Sequence, residues 1–481
     1  MPRFDTQESW RVALARFGHG ARLGQAARVG DAREALLAEI ADPGVARLED
    51  SALKSTPRLL VELFAYDQRQ KQRREFAELA KLASIAMPEP QVASLLFSSG
   101  DGAGTVASPE TPPQREAFRL DAAARLARGY AAPIGFAERL VAFWSNHFCV
   151  SVAKSGVGRA AAGAFEREAI RPHVLGNFTD MLLAVERHPA MLNFLDNQQS
   201  VGPNSIAGHG RQAGLNENLA RETLELHTMG VGSGYTQNDV TQLAYILTGW
   251  TFAGREGRLG EPGTFVFNAN AHEPLAATLR GRLYLQDGVA QGEAALADLA
   301  REDATADHVA RKLARHFVAD APDPELVGRL AKTFRDSGGD LGALARALVS
   351  DPAAWEAPPT QIRNPWELAV ATHRAFGRPP GDPRPTLNAL NLLGMPLWQP
   401  AGPNGFPDDA AAWTSPEGMK TRVELAMLFA REIKDAPRPL AVLEDVLGPT
   451  VSSETHDAVA GAETPEQGYA LVILSPEFQR R

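Results

Sequence analysis

The sequence predicts a mainly α-helical protein, a large multi-helix domain carrying at most one small β-hairpin. Apolar residues recur at three-to-four spacing along most of the chain, in segments rich in Ala, Leu, Glu and Arg. β-Favouring residues gather only at Thr264 to Asn268 (TFVFN) and Ala277 to Gln286 (ATLRGRLYLQ). No fixed-period repeat is visible, which argues against a solenoid. With 481 residues, 44% hydrophobic and 22% charged, the chain can bury a sizeable core.

In chain order, the periodicity predicts helices over Thr6 to Phe17, Asp31 to Ile40, Pro57 to Ile85, Arg115 to Ala131, Phe136 to Val150 and Ala161 to Glu186. Two more follow at Asn216 to Met229 and Gln237 to Gly249, the second opened by Thr236 with Asp239 three residues on, the spacing of a capping box. Pro88, Pro90 and the run SSGDGAGTVASPETPP, Ser98 to Pro113, read as a flexible surface loop. Gln198 to Gly214, rich in Gly, Ser, Asn and Gln, leads into the helix at Asn216, a position suited to lining a site. From Gly292 the helical pattern resumes through Asp307 to Val318, Pro324 to Ser337 and Leu341 to Val349. Proline-rich turns then precede Lys420 to Lys434 and Thr464 to Phe478. This divides the chain into a helical body, 1–255, an irregular segment with the hairpin, 256–290, and a C-terminal helical part packed on the first, 291–481.

A net charge of −9 with no dense Lys/Arg stripe argues against nucleic acid as a partner. The densest basic run, Arg69 to Arg74, reads as solvated helix surface. No window approaches the ~20 apolar residues of a membrane span. Cys149 is the only cysteine, which excludes an internal disulfide and a cysteine-rich metal cluster. The N-terminal stretch MPRFDTQESWRVALARFGHG has no apolar signal core and reads as an amphipathic helix. The expectation from it is a cytoplasmic chain by default, periplasmic or extracellular if trimmed or co-exported.

The strongest candidate site is NENLARETLELH, Asn216 to His227. At about 100° per residue, Glu217, Asn218, Arg221, Glu222 and Glu225 share an arc of roughly 140°. Carboxylates held close together suit acid–base chemistry, because one stays protonated while another ionises. Arg221 can pair with Glu217 or Glu225 and fix a rotamer. The competing reading is a solvated face of i,i+4 pairs. On the same ideal wheel His227 falls off the stripe unless the helix ends first, and Gly230, Gly232 and Gly234 mark an early end. FWSNHF, Phe143 to Phe148, sets Asn146 and His147 among aromatics, where an imidazole's state depends on a single partner. Asp196 and Asn197 close the apolar run in ERHPAMLNFLDN, at a cleft or in an Asx turn. No HExxH or paired ExxH is present, and no dinucleotide fingerprint, Walker loop, nucleophile elbow or kinase signature.

FWSNHF, the HPAMLNFLDN run, NENLARETLELHTMGVGSGYTQNDV and YILTGW closely resemble the bacterial family known as domain of unknown function 1800. The likeness extends from ARFGHG at Ala15 to Gly20, through GFPDDAAAW at Gly405 to Trp413, to LSPEFQ at Leu474 to Gln479. The resemblance implies a mainly helical protein, often exported and often encoded beside a second family that carries a twin-arginine signal and resembles phosphatases or sulfatases. An exported protein partner is therefore expected. No catalytic residues come with the resemblance.

The reading that follows is an enzyme performing acid–base hydrolysis or elimination on a carbohydrate-like substrate in an acidic polar cleft. Glu222 and Glu225 are its acid and base, Glu217 or Asp196 an auxiliary carboxylate, and His147 a proton carrier. Arg221, Asn218, Asn146, Trp144 and Trp250 bind substrate, the tryptophans as stacking faces. No cofactor is expected on this reading. A rival is a metal-dependent enzyme in which His147, His227, His272 and a Glu hold a divalent ion. A third reading is a noncatalytic assembly or binding partner in which the stripe forms a buried structural network.

Overall fold

The computed structural model describes residues 6–25, 30–86, 110–209 and 214–481. Within them the protein is mainly α-helical, and its strands form two antiparallel two-stranded sheets. Several helices begin where side chains satisfy the orphan backbone donors. Asp31 accepts from the amides of Arg33 and Glu34, and Thr236 and Asp239 form the expected capping box. Most of the loop reading at Pro88, Pro90 and Ser98 to Pro113 lies outside the described residues, and Pro113 already begins the helix Pro113–Ala131. The basic run on Thr56–Ala86 is at the surface, with Arg69 paired to Glu110 at 2.6 Å. No described helix is long and apolar enough to cross a membrane.

Two elements differ from expectation. The helix anticipated over Ala161 to Glu186 is interrupted: Gly156–Phe165 passes into a π-turn, Glu166–Ile170, then a 3-10 turn, Arg171–His173, before Phe178–Arg187 starts anew. Pro172 lacks an amide to continue the ladder, and Asn177 caps the new helix through the amide of Thr179. The strands form two pairs rather than one hairpin. Phe265–Phe267 returns to Trp250–Phe252, and Ala277–Leu279 pairs with Arg282–Tyr284. The second pair turns through Arg280 and Gly281, both at positive φ (53° and 78°), as a two-residue hairpin turn requires.

One continuous apolar core runs from Trp10 in the first helix to Phe478 near the C-terminal end. Buried guanidiniums tie the segments that core joins. Arg374, on Pro365–Ala375, donates to the carbonyls of Gly20 (2.9 Å) and Ala132 (2.6 Å). The helix Phe136–His147 lies within this core and buries Phe136, Leu140, Phe143, Trp144 and His147 on its inner face. Against it, antiparallel, runs Asp303–Phe317: His316 Nε2 is 3.3 Å from Arg139 Nη2, and the His308 and His147 rings are 5.9 Å apart. This antiparallel pair borders the site.

Candidate acid–base site

The NENLARETLELH segment is an α-helix only over Asn218–Glu222; Thr223–His227 is a π-turn. A π-turn closes i→i+5, so each residue advances less around the axis than in an α-helix. The ideal wheel that set His227 apart from the stripe therefore fails at this point. His227 comes round one wider turn beneath Glu222, close enough for its charge to act on the Glu222 carboxyl.

The outer half of the stripe is a surface network. Glu217 accepts from Thr241 Oγ1 (2.7 Å), Gln237 Nε2 (2.9 Å) and Arg221 Nη2 (3.1 Å). These donors, Thr241 first, hold the Glu217 carboxyl below the ordinary carboxylate value. Arg221 also stands 3.6 Å from Glu225. Half-buried Tyr235, from the glycine-rich turn, donates its hydroxyl to Glu225, and its pKa is raised by burial and by that carboxylate.

Glu222 faces the other way. Burial raises its carboxyl above 4.5; His227 opposes, the Glu225 charge adds, and Arg221 opposes. Two carboxyls on one helix are thus pushed apart, Glu217 downward and Glu222 upward. Beneath Glu222 the polar groups are buried and oriented. His227 Nδ1 lies 2.7 Å from Oε1 of Glu186, a carboxylate with no solvent exposure on Phe178–Arg187, and Thr223 Oγ1 adds a bond at 3.3 Å. His147 Nε2 donates to the backbone carbonyl of His227 at 3.1 Å, which leaves His147 Nδ1 bare, buried and without a partner among the described residues. Burial, then the charges of Lys312, His308 and His227, pushes the His147 imidazole well below 6.5.

The opposite wall is a stripe at four-residue spacing on Asp303–Phe317: His308, Lys312 and His316. His308 donates from Nε2 to the carbonyl of Leu226 at 3.2 Å, and burial and Lys312 lower it to about 4. Gly230, at φ 89°, is what lets that ring in; a Cβ there would lie 2.7 Å from His308 Nδ1. Lys312 makes no hydrogen bond or ion pair among the described residues, and burial lowers its ammonium while Asp408 and Cys149 oppose. Cys149 donates to the carbonyl of Pro403 at 3.2 Å, and burial lifts its thiol to about 12. The Lys312 and Glu222 charges both act on its thiol, one from each side, which marks the polar seam between them.

The family model described as Protein of unknown function (DUF1800) matches residues 12–480. The chain belongs to this family. No curated protein and no solved structure matches it.

Not every expected site residue of this DUF1800 chain gathers at the seam. Trp144 and Trp250 are 1% and 0% exposed, each closed in by core aromatics, so neither offers a face for a sugar ring to stack on. Asn146 clamps the backbone of Phe406, accepting from its amide and donating to its carbonyl, both at 2.8 Å, which ties it to the GFPDD loop. Asp196, at φ 58°, pairs with Lys154 at 2.5 Å, and its side chain caps no backbone amide of the turn that follows. Asn218 is exposed at the helix start. The rival metal set is not assembled: His272 Nδ1 turns to the carbonyl of Thr248 at 2.9 Å, and no three His, Cys, Asp or Glu side chains among the described residues gather to hold an ion. The loop Gln198 to Gly214, described up to His209, docks on Glu273 through the Asn204 amide and side chain at 3.0 and 2.6 Å.

Glu186, His308, Lys312 and Tyr235 were absent from the expected site. The i,i+4 placement of His308, Lys312 and His316 was visible in DHVARKLARH, but equally compatible with a solvated face. Only the antiparallel helix Phe136–His147 turns that stripe inward.

Proposed function

We propose that this DUF1800 protein is an acid–base enzyme acting by hydrolysis or elimination on a carbohydrate-like substrate. The observation that carries the reading is Glu222: a carboxyl raised by burial, next to Glu225, and set one π-turn above a buried His227–Glu186 pair. In this scheme Glu222, which holds its proton more tightly than an ordinary carboxyl, delivers it to the leaving oxygen, while Glu225 accepts one from water or from the substrate carbon. Arg221 bridges Glu217 and Glu225 and fixes both rotamers. His227, held by Glu186, is a positioning residue for Glu222. His147, with a bare Nδ1, offers a hydrogen-bond acceptor. Tyr235, half-buried at Glu225, supplies the aromatic face that the buried tryptophans do not.

The test is a screen of the purified full chain against neutral and uronic-acid oligosaccharides, following new reducing ends and the ultraviolet absorbance of unsaturated products. Glu222→Gln should lower kcat about 10²–10⁴-fold with the helical circular dichroism unchanged. Turnover undiminished in Glu222→Gln would overturn the assignment.

A noncatalytic role in assembly is favoured by one observation: Glu217, Arg221, Gln237 and Thr241 largely satisfy one another. That reading expects loss of stability in both Glu222→Gln and Glu225→Gln, and no turnover by the native chain anywhere in the panel.

A further inference from the structure

A cavity lined by other residues lies outside the groups proposed for acid–base chemistry. It encloses about 450 Å³ between the first helix, the loop from Trp355 to Arg363, and the terminal segments around Leu447 and Phe478. That volume lies in the range of small-molecule sites. Its inner polar walls are guanidiniums. Arg16, Arg363 and Arg481 are 3%, 2% and 3% exposed. Among the described residues only Arg481 of the three forms an ion pair with a carboxylate, at 2.8 Å to Glu367, and Glu367 already serves Arg139 at 3.1 Å. Arg16 is spread over the carbonyls of Ala354, Trp355 and Ala357 at 2.8, 3.2 and 2.5 Å. Arg363 donates from Nε to the carbonyl of Phe478 at 2.8 Å, and its Nη1 is buried with no partner.

The acidic residues on the walls do not offset this. Glu8 and Glu356 are exposed, and Glu477 is occupied by the amide of Ser452 (3.0 Å) and the hydroxyl of Thr455 (3.0 Å). Burying a cation without a counter-charge is costly, and an unpaired guanidinium N–H adds its own desolvation penalty. The strain shows in the guanidiniums: burial, with Arg481 adding and Glu367 opposing at Arg363, lowers Arg16 and Arg363 to about 10 each. The apolar part of the wall includes Leu14, Trp355, Val446, Leu447 and Phe478.

We propose that this cavity binds a small organic anion, a carboxylate or phosphate monoester head seated at Arg363 and Arg16 with an apolar body against Trp355, Leu447 and Phe478. A planar guanidinium matches either head group, so the two share one recognition chemistry. The site meets the acid–base seam through Arg481, which donates to the carbonyl of His316 at 2.7 Å, but the proposal does not depend on that seam's function.

Isothermal titration calorimetry of the full chain with octanoate, octyl phosphate, octanol and inorganic phosphate tests it. At least one of the two amphipathic anions should bind tenfold or more tightly than both octanol and inorganic phosphate, and which one does identifies the head group. Arg363→Met should weaken that binding at least tenfold. Because Arg363 also holds the backbone of Phe478, a second variant, Thr450→Trp, plugs the cavity from an exposed rim position and should abolish binding with the fold intact. Octanol binding as tightly as the anions, inorganic phosphate binding as tightly as octyl phosphate, or affinity unchanged in both variants would overturn the proposal.

Discussion

Replacing Arg171 by Met removes the guanidinium at the centre of an ionic cluster that holds the His147-bearing helix to the interrupted helix behind it. Arg171 has no solvent exposure and donates to Glu138 at 2.9 and 3.0 Å, to Glu166 at 3.1 Å and to the carbonyl of Ala46 at 2.9 Å. After the change Glu138 keeps only Arg128, at 3.5 Å and a third exposed, whereas Glu166 keeps Arg125 at 3.2 Å, Ser145 and the Trp398 indole. Breaking a buried pair costs about 3–5 kcal/mol because an uncompensated charge remains inside. With one guanidinium serving two carboxylates, the upper half of that range, about 4–5 kcal/mol, is expected at pH 7. The pH dependence gives the mechanism away. Burial alone would push the Glu166 carboxyl up, but Arg125 and Arg171 hold it below 4.5. A carboxyl depressed in the native state contributes stability that is present above the unfolded value of 4.5 and lost as pH falls through the folded value. In Arg171→Met the orphaned carboxylates can instead take up protons, so the deficit should shrink by pH 4. Urea unfolding followed by far-ultraviolet circular dichroism at pH 7 and pH 4 measures both quantities. A deficit below ~1 kcal/mol, or one equal at the two pH values, would refute the reasoning.

Two further predictions concern the site and its surroundings. His147, lowered well below 6.5 by burial and by Lys312, should stay neutral from pH 8 to pH 5 in ¹⁵N-edited NMR, and native stability should fall as pH drops below 6.5, where the unfolded imidazole takes a proton and the native one does not; a His147 resonance titrating near 6.5 would contradict this. Gly292→Ala places a Cβ 2.4 Å from Cζ2 of the buried Trp250, so despite the better helix propensity of Ala it should destabilise by about 1–3 kcal/mol in urea titration, and a stabilised variant would show the contact to be wrong.

The helices were largely legible in the sequence because their cues are local. Apolar spacing located most of them, and the Thr236 and Asp239 pair marked a start to the residue. Three expected helices pass into π-turns that spacing does not reveal, at Ala13–Phe17, Glu166–Ile170 and Thr223–His227, and at the last two buried side chains from distant helices accompany the wider turn: Arg125 at Glu166, Glu186 at His227. No local pattern encodes that. The carboxylate stripe was legible as a stripe, but its division into an outward network and an inward Glu222 was not, because it depends on Thr241, Gln237 and the π-turn. Trp144 and Trp250 illustrate the converse error: an aromatic next to polar motif residues looks like a binding face until the fold closes over it.

The claim at the centre is that Glu222 is the proton-holding group of the seam. Infrared difference spectra of the full chain against Glu222→Gln, recorded across pH 3 to 8, isolate the carboxylic C=O stretch of that one residue. The account predicts a protonated Glu222 signal that persists above pH 4.5, the ordinary value, and moves downward in Glu225→Gln, where the like charge is gone. A Glu222 signal already lost below pH 4.5 would contradict it.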